Sequence, residues 1–553
     1  MIPYLFAWGS CLLSLVAGLA ACQPAAQALA HQNNTTMLPE PPREFLDTTL
    51  VPSTGQAIHV REGDSLQDAI DAAQLGDTIL LESGATFKGP FTLPNKKSGT
   101  GWITIRTSTP DRQFPSPGTR VGPSHASLMP RLISQSDGVV LAERGAHHYR
   151  FIGLEIKPQD GVYLNGLVVI GTGREPSRDD QPHHIIVDRS YLHGDPKKGT
   201  RRGVIMNGRY LAVIDSYAAD FKDPKQDSQA IVGWSGAGPF KIVNNYLEGA
   251  AENLQFGGGD PPVKDLVPSD IEIRWNRLAK PLAWKRGTHE YDGSGWVIKN
   301  LFELKNARRV VIDGNVLEYN WAESQSGFAV LFTVRNQDRR APWSVIEDVS
   351  FTNNIVRHTG SGLNILGIDD IHPPSERTKR ILVRNNLWED VNSERWGGKG
   401  RLFQLGEGPS DIVIEHNTGD QNEAIIVAYA AAAERFVFRS NVAPHNAEGI
   451  TATASGVGNS ALLAFFPRAI VTNNVMVGGD DLNYPSGNFF PHSLDEWHAS
   501  VRSRPDGKAP GAKHTSEEQP APGVQVGTLC AALGPNASQE PVCKGGMMAG
   551  GGP

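Results

Sequence analysis

The stretch that decides the fold is KIVNNYLEGAAENLQFGGGDPP, Lys241 to Pro262. An apolar run leads into paired asparagines, a second short run follows, and then come Glu252, Asn253 and three glycines. The core of this pattern is an apolar residue, two variable residues, Asn or Ser, one variable residue and usually another apolar one. It recurs from VDRSYL, ending at Leu192, to VTNNVM, ending at Met476. The Asn or Ser falls at positions 190, 216, 245, 276, 315, 354, 386, 417, 441 and 474, at intervals of 24 to 39 residues. Each copy holds two or three short alternating runs and no long helical pattern, so the unit is a coil of strands rather than a βαβ unit. One such coil cannot close a core alone, but stacked coils pile their inward residues into columns. The expected fold is an all-β solenoid. Asn245, Asn276, Asn315, Asn354, Asn386, Asn417, Asn441 and Asn474 are read as structural. A corner where a strand bends needs φ > 0, which Asn tolerates, and stacked amides can bond in a ladder.

The rest of the chain is consistent with one long exported solenoid. The 553 residues carry a net charge of -7, which argues against a nucleic-acid partner. MIPYLFAWGSCLLSLVAGLAAC, residues 1–22, is apolar and ends in small residues before Cys22, with no Lys or Arg ahead of Arg43. It reads as an export signal of the lipoprotein type with Cys22 as the lipidated residue, or else as a signal anchor. Of four cysteines, Cys530 and Cys543 could pair in an oxidising compartment, and no Cys–His spacing resembles a zinc site. Ser65 followed by Asp68, with Leu66, Ala69, Ile70 and Ala73 on one face, predicts a short N-terminal capping helix that plugs the open end of the coil stack.

Taken together, SLQDAIDAAQLGDTILLESGATFKG, GWITIRTS at 101–108, the Asn-bearing coils and FKIVNNYLEGAAENLQFGG with PSDIEIRWN resemble the pectate-lyase-like superfamily of right-handed parallel β-helix proteins, over residues 56–480. The resemblance implies the fold and a link to polysaccharides. It carries no catalytic residue over, because the Arg-x-x-Pro-x-x-Arg, Asp-Asp, Gly-His-Gly and Asp-Pro-His-Gly signatures of its enzymes are missing. The expected organisation is a leader at 1–22, a tether at 23–50, the β-helix at 51–485 and a low-complexity tail at 486–553.

Longer insertions follow the coils after 190, 216, 245, 276, 315 and 386, so the central coils should carry the functional face. Eight of eleven tryptophans lie between Trp234 and Trp396. That distribution suits stacking on sugar rings, or else capping of the core under long loops; Trp284, Trp321 and Trp396 are the groove candidates. Asp223, Asp227 and Glu252 are hard oxygen ligands that could hold Ca²⁺, or turn residues capping backbone. Gln229, Asn253, Gln325 and Arg335 are expected to bind substrate on the same side. A uronate polymer is cut by β-elimination when a base removes the proton α to a neutralised carboxylate. Lys285, beside Trp284 and Arg286, is the first candidate base, although it would have to lose its proton far below about 10.4. His358, just after a ladder Asn, is the second, and Glu252 completes the catalytic candidates. The expectation is an exported polysaccharide lyase acting on an acidic glycan, monomeric, in the periplasm or at the cell surface. Two alternatives stay open: a glycoside hydrolase using Asp227 and Glu252, or a non-catalytic glycan-binding solenoid.

Overall fold

The computed structural model describes residues 36–136, 138–502 and 521–544; the leader and Cys22 fall outside them. The chain winds as a right-handed parallel β-helix with three faces, each a long sheet. Sheet A has 14 strands, from Ala57–Val60 to Ile470–Thr472, and sheets B and C have 13 each. One coil visits them in turn: His183–Asp188 in A, Tyr191–His193 in B, Arg202–Met206 in C, and back to A at Arg209–Ile214. Every strand pairs in parallel with its equivalents one coil before and after, apart from Gly456–Val457, which closes sheet C antiparallel. The registers are tight, for example Leu211↔Phe240 and Ile271↔Val310. One continuous core runs through the stack from Val60 to Tyr484. The expected helix is present as Leu66–Ala72, its N-cap Ser65 accepting from the Asp68 N–H, with Leu66 and Ile70 buried.

The recurrent asparagines form a continuous ladder at the corner between sheets A and B. Asn245 gives both its backbone N–H and its Nδ2 to Asn276 Oδ1, at 2.9 and 3.0 Å. The motif repeats through Asn315, Asn354, Asn386, Asn417, Asn441 and Asn474. It ends on Asn488, beyond the sequence repeat. The left-handed residue of the corner is not the ladder Asn but the one before it: Asn244, Trp275, Asn353, Asn385, His416 and Asn473 all have φ between 55° and 59°. The ladder amide is therefore selected for its paired donor and acceptor, and the turn falls to its neighbour.

Two segments expected to be loose lie on the solenoid. Residues 36–50, read as tether, run across the outer face of sheet A. The backbone N–H groups of Met37, Glu40 and Arg43 donate to Asp411, Asp348 and Asp270. These aspartates lie on every second coil, and Asp411, Asp348 and Asp270 pair with Arg435, Arg380 and Arg309, each of the next coil. Further on, Leu46 is buried with Ile186, Ala212, Ile214 and Val243. In the C-terminal tail, 521–544 folds over sheet B with Cys530 bonded to Cys543. Leu529 and Leu533 pack on Val316, Ile355 and Leu387 there, and Glu540 is buried against Arg357. Among the described residues no helix is long and apolar enough to cross a membrane.

Candidate active site

Each sheet B strand ends in a bend before the chain crosses to sheet C. In three consecutive coils the residue at this bend, four past the ladder Asn, is Tyr319, His358 or Asp390, with φ of 63°, 57° and 50°. The registers Asn320↔Thr359 and Thr359↔Val391 bring them to the same height on neighbouring strands. As at the ladder corner, the left-handed backbone belongs to the turn, and here it sets three polar side chains side by side.

His358 Nδ1 lies 2.9 Å from Asp390 Oδ2. The same carboxylate accepts from Trp396 Nε1 at 2.8 Å and from Arg395 at 3.1 Å. Burial pushes the Asp390 carboxyl up, but hydrogen bonds from His358 and Trp396 and the nearby Arg395 outweigh it and hold it below its ordinary value. The imidazole stacks on Tyr319, with ring centroids 4.9 Å apart, and tilts against Trp396 at 5.7 Å. Lys285 Nζ stands 5.8 Å from the Trp396 ring centre, within cation–π range. Trp396 is set by a one-turn helix, Ser393–Trp396, whose N-cap Asn392 accepts from Glu394 and Arg395. An imidazole whose Nδ1–H is held by a carboxylate keeps its Nε2 lone pair for a proton. The His358 side chain is 33% exposed, whereas Asp390 is 15% exposed, so the histidine is the member of the pair that meets a ligand.

A second polar network lies at the start of sheet C, where Gln229, Glu252 and Asn300 are in register. Gln229 Nε2 donates to Glu252 Oε2 at 2.8 Å, and Arg202 supports Gln229. Lys299 bonds Asp227 at 2.5 Å and stands 3.8 Å from Glu252 Oε1. Asn300 donates to Glu303 and also lies within 3.4 Å of Gln325. Glu252 is fully buried. Burial, then the negative charges of Glu303 and Asp227, push its carboxyl up to about 7, against the pull of Lys299 and Lys305. Glu252 Oε1, Asn300 Oδ1 and Gln255 Oε1 are buried without a hydrogen-bond partner.

The sequence candidates thus fall into two groups and some strays. Lys285, His358 and Trp396 converge at the sheet B bend, while Glu252, Gln229, Asp227 and Gln325 belong to the sheet C network. No hydrogen bond or ion pair joins the two groups among the described residues. Trp284 and Trp321 are not groove residues: each is 3% exposed. They pack with Trp296 and Ile298 because the long loop after Ala279 folds back and needs an apolar underside. Asn253 turns inward, donating to the Leu247 and Ala279 carbonyls and accepting from buried Lys280. Arg335 pairs with Asp370 at the far edge of sheet C. Asp223 is spent on the Lys225 and Gln226 amides and the Tyr163 hydroxyl, so Asp223, Asp227 and Glu252 do not assemble as a ligand set. Sequence reasoning missed Tyr319, Asp390, Lys299 and Glu303. The signal that could have found the first two is the offset of four past a ladder Asn, which they share with His358.

No family model and no curated protein matches the chain. Among solved structures it is similar to the catalytic unit of a GH87 α-1,3-glucanase from Streptomyces thermodiastaticus, at 11% identity over 82% of this chain and 73% of that one, TM-score 0.48. It is also similar to an alginate lyase from Paenibacillus sp., at 14% identity over 78% and 99%, TM-score 0.28. A pectate lyase is a third such neighbour, at 15% identity over 84% and 91%, TM-score 0.30. At these identities the likeness is one of fold, and the three sheets themselves carry the fold assignment.

Proposed function

We propose that this is an exported carbohydrate-active protein, a polysaccharide lyase that cleaves an acidic glycan by β-elimination at the His358 bend. The observation that carries the reading is the exposed His358 imidazole, bonded to Asp390 and flanked by the rings of Tyr319 and Trp396, with Lys285 alongside. In the proposed step His358 Nε2 takes the proton on the carbon α to a uronate carboxylate, whose charge is offset by Lys285 and Arg395. The electron pair forms the new carbon–carbon double bond, the glycosidic C–O bond breaks, and the departing oxygen takes the Tyr319 hydroxyl proton. Solvent then returns both side chains to their starting protonation. Trp396 offers a ring face to the sugar. The hydrolase reading has less support, since fully buried Glu252 does not face a glycan. The Cys530–Cys543 bond suits an oxidising compartment outside the cytoplasm.

A Ca²⁺ ion bound by this chain would be held apart from the His358 bend, by Glu252 and Glu303 with the amide oxygens of Asn300 and Gln255, hard donors of which three atoms lack partners. It would supply positive charge that favours the ionised form of the buried Glu252 carboxyl.

The test is incubation of the purified protein with a panel of uronate polymers, following the ultraviolet absorbance of the unsaturated product. Activity on at least one polymer is expected, and His358→Ala should lower it by a factor on the order of 10² to 10⁴. Silence across the panel with and without Ca²⁺, or an unimpaired His358→Ala variant, overturns the reading.

A further inference from the structure

On the outer face of sheet A, far along the sequence from the bend just described, two consecutive coils each carry a His-His pair in register: His147 and His148 beside His183 and His184. The four rings form two parallel stacks. His147 lies on His183 with centroids 4.9 Å apart, and His148 on His184 at 4.5 Å, each with planes 4° apart. Tyr210 continues the second stack at 4.4 Å, and Trp102 closes its side edge-on. Within each pair the Nδ1 atoms face each other, at 2.8 Å for His147 and His148 and 2.7 Å for His183 and His184. One ring nitrogen from each of His148, His183 and His184 lies within 4.8 Å of the other two.

We propose that His148, His183 and His184 form a binding site for a transition-metal ion of the Zn²⁺ class, clamping two neighbouring coils together. Tetrahedral Zn²⁺ with ligands at about 2.0–2.1 Å holds their nitrogens just over 3 Å apart, so the rings draw closer on binding and the Nδ1–Nδ1 hydrogen bond between His183 and His184 opens, because the accepting ring of that pair otherwise carries its proton on Nε2 and has no lone pair to give. The donor set selects the metal. Imidazole nitrogens without a carboxylate among them favour Zn²⁺, Ni²⁺ and Cu²⁺ over Ca²⁺ and Mg²⁺. His147 acts behind the site: its Nε2 stands 3.0 Å from the Lys96 carbonyl and donates to it. That tautomer makes His147 Nδ1 an acceptor, puts the shared proton on His148 Nδ1, and leaves the His148 Nε2 lone pair free for a metal. The left-handed backbone at His148 and His184, φ of 59° and 54°, aims the second ring of each pair at the same height.

The test uses the full chain, stripped with chelator and titrated with ZnCl₂ alone by calorimetry. One equivalent should bind, and a His148→Ala/His184→Ala variant should lose it or bind at least about tenfold more weakly. Co²⁺ in place of Zn²⁺ should give the visible absorption of a tetrahedral site in the wild type only. If that variant does not fold, modification of the wild type by diethyl pyrocarbonate decides: Zn²⁺ should shield the peptides holding 147–148 and 183–184. Absence of stoichiometric binding, undiminished binding by the variant, or shielding confined to other histidines refutes the site and leaves the rings as a stacking ladder only.

Discussion

Glu252→Gln offers a demanding check on the electrostatics of sheet C. The Glu252 carboxyl moves from an ordinary 4.5 to about 7 on folding, through burial first and the charges of Glu303 and Asp227 next. The unfolded chain gives up this proton near 4.5, while the folded one keeps it to about 7. Between those values the unfolded state binds fewer protons, so stability falls as pH rises through the window. A separation of about 2.5 pH units at about 1.36 kcal/mol each gives a loss of about 3 kcal/mol, complete just above pH 7. Glutamine preserves the acceptor for Gln229 Nε2 and adds a neutral donor toward the unpartnered side. At pH 8 the variant should therefore be more stable than wild type by up to about 3 kcal/mol, and at pH 4 nearly equal to it. Urea titration followed by tryptophan fluorescence, with both proteins at each pH, measures this. Other groups titrating in the window, such as Glu248, which burial also raises to about 7, cancel in the comparison. A variant no more stable than wild type at pH 8, or a difference between the two that does not change with pH, would refute the reasoning.

Asp390→Asn should depress kcat on a uronate polymer far more than it raises KM, because the amide keeps an oxygen that can accept from His358 and Trp396 but loses the negative charge that favours the imidazolium formed in the step; equal effects on both would place Asp390 in simple binding. Asn315→Ala deletes two donors' partner and the bond to the Ile273 carbonyl. It should cost about 2–4 kcal/mol in urea titration; a loss under about 1 kcal/mol contradicts the ladder's role. Reducing the Cys530–Cys543 bond, 13 residues apart in sequence, should speed hydrogen exchange in 524–544, the cross-link being worth about 3 kcal/mol, while sheet A amides are unaffected. Replacing Pro41 and Pro42 with glycines should expose residues 37–45 to limited proteolysis; continued resistance argues against their docking on sheet A.

The fold was legible because the ladder amides recur with apolar partners at fixed offsets, and a column of identical side chains demands a stack. The sequence could not place the turn one residue earlier, since His416 and Trp275 carry no signature of φ > 0. Of the site, His358 was visible beside its ladder Asn, but Asp390 and Tyr319 share its offset with different chemistry and were passed over. Trp284 and Trp321 looked like groove residues because nothing local reveals that the loop after Ala279 returns to bury them. MLPEPPREF was read as linker for a similar reason: a proline-rich composition is the same for a free chain and for an extended strip bound along its length.

That strip keeps time with the coils it crosses. Three residues of extended chain reach up to about 10–11 Å, and two coils rise about 9.4–9.8 Å, so Met37, Glu40 and Arg43 each meet an aspartate without stretching. The partners are 374, 308 and 227 residues away in sequence. Docking of residues 37–43 therefore requires the coils through Asp411 to be in place, which ties this strip to the assembly of coils at least 227 residues away in sequence.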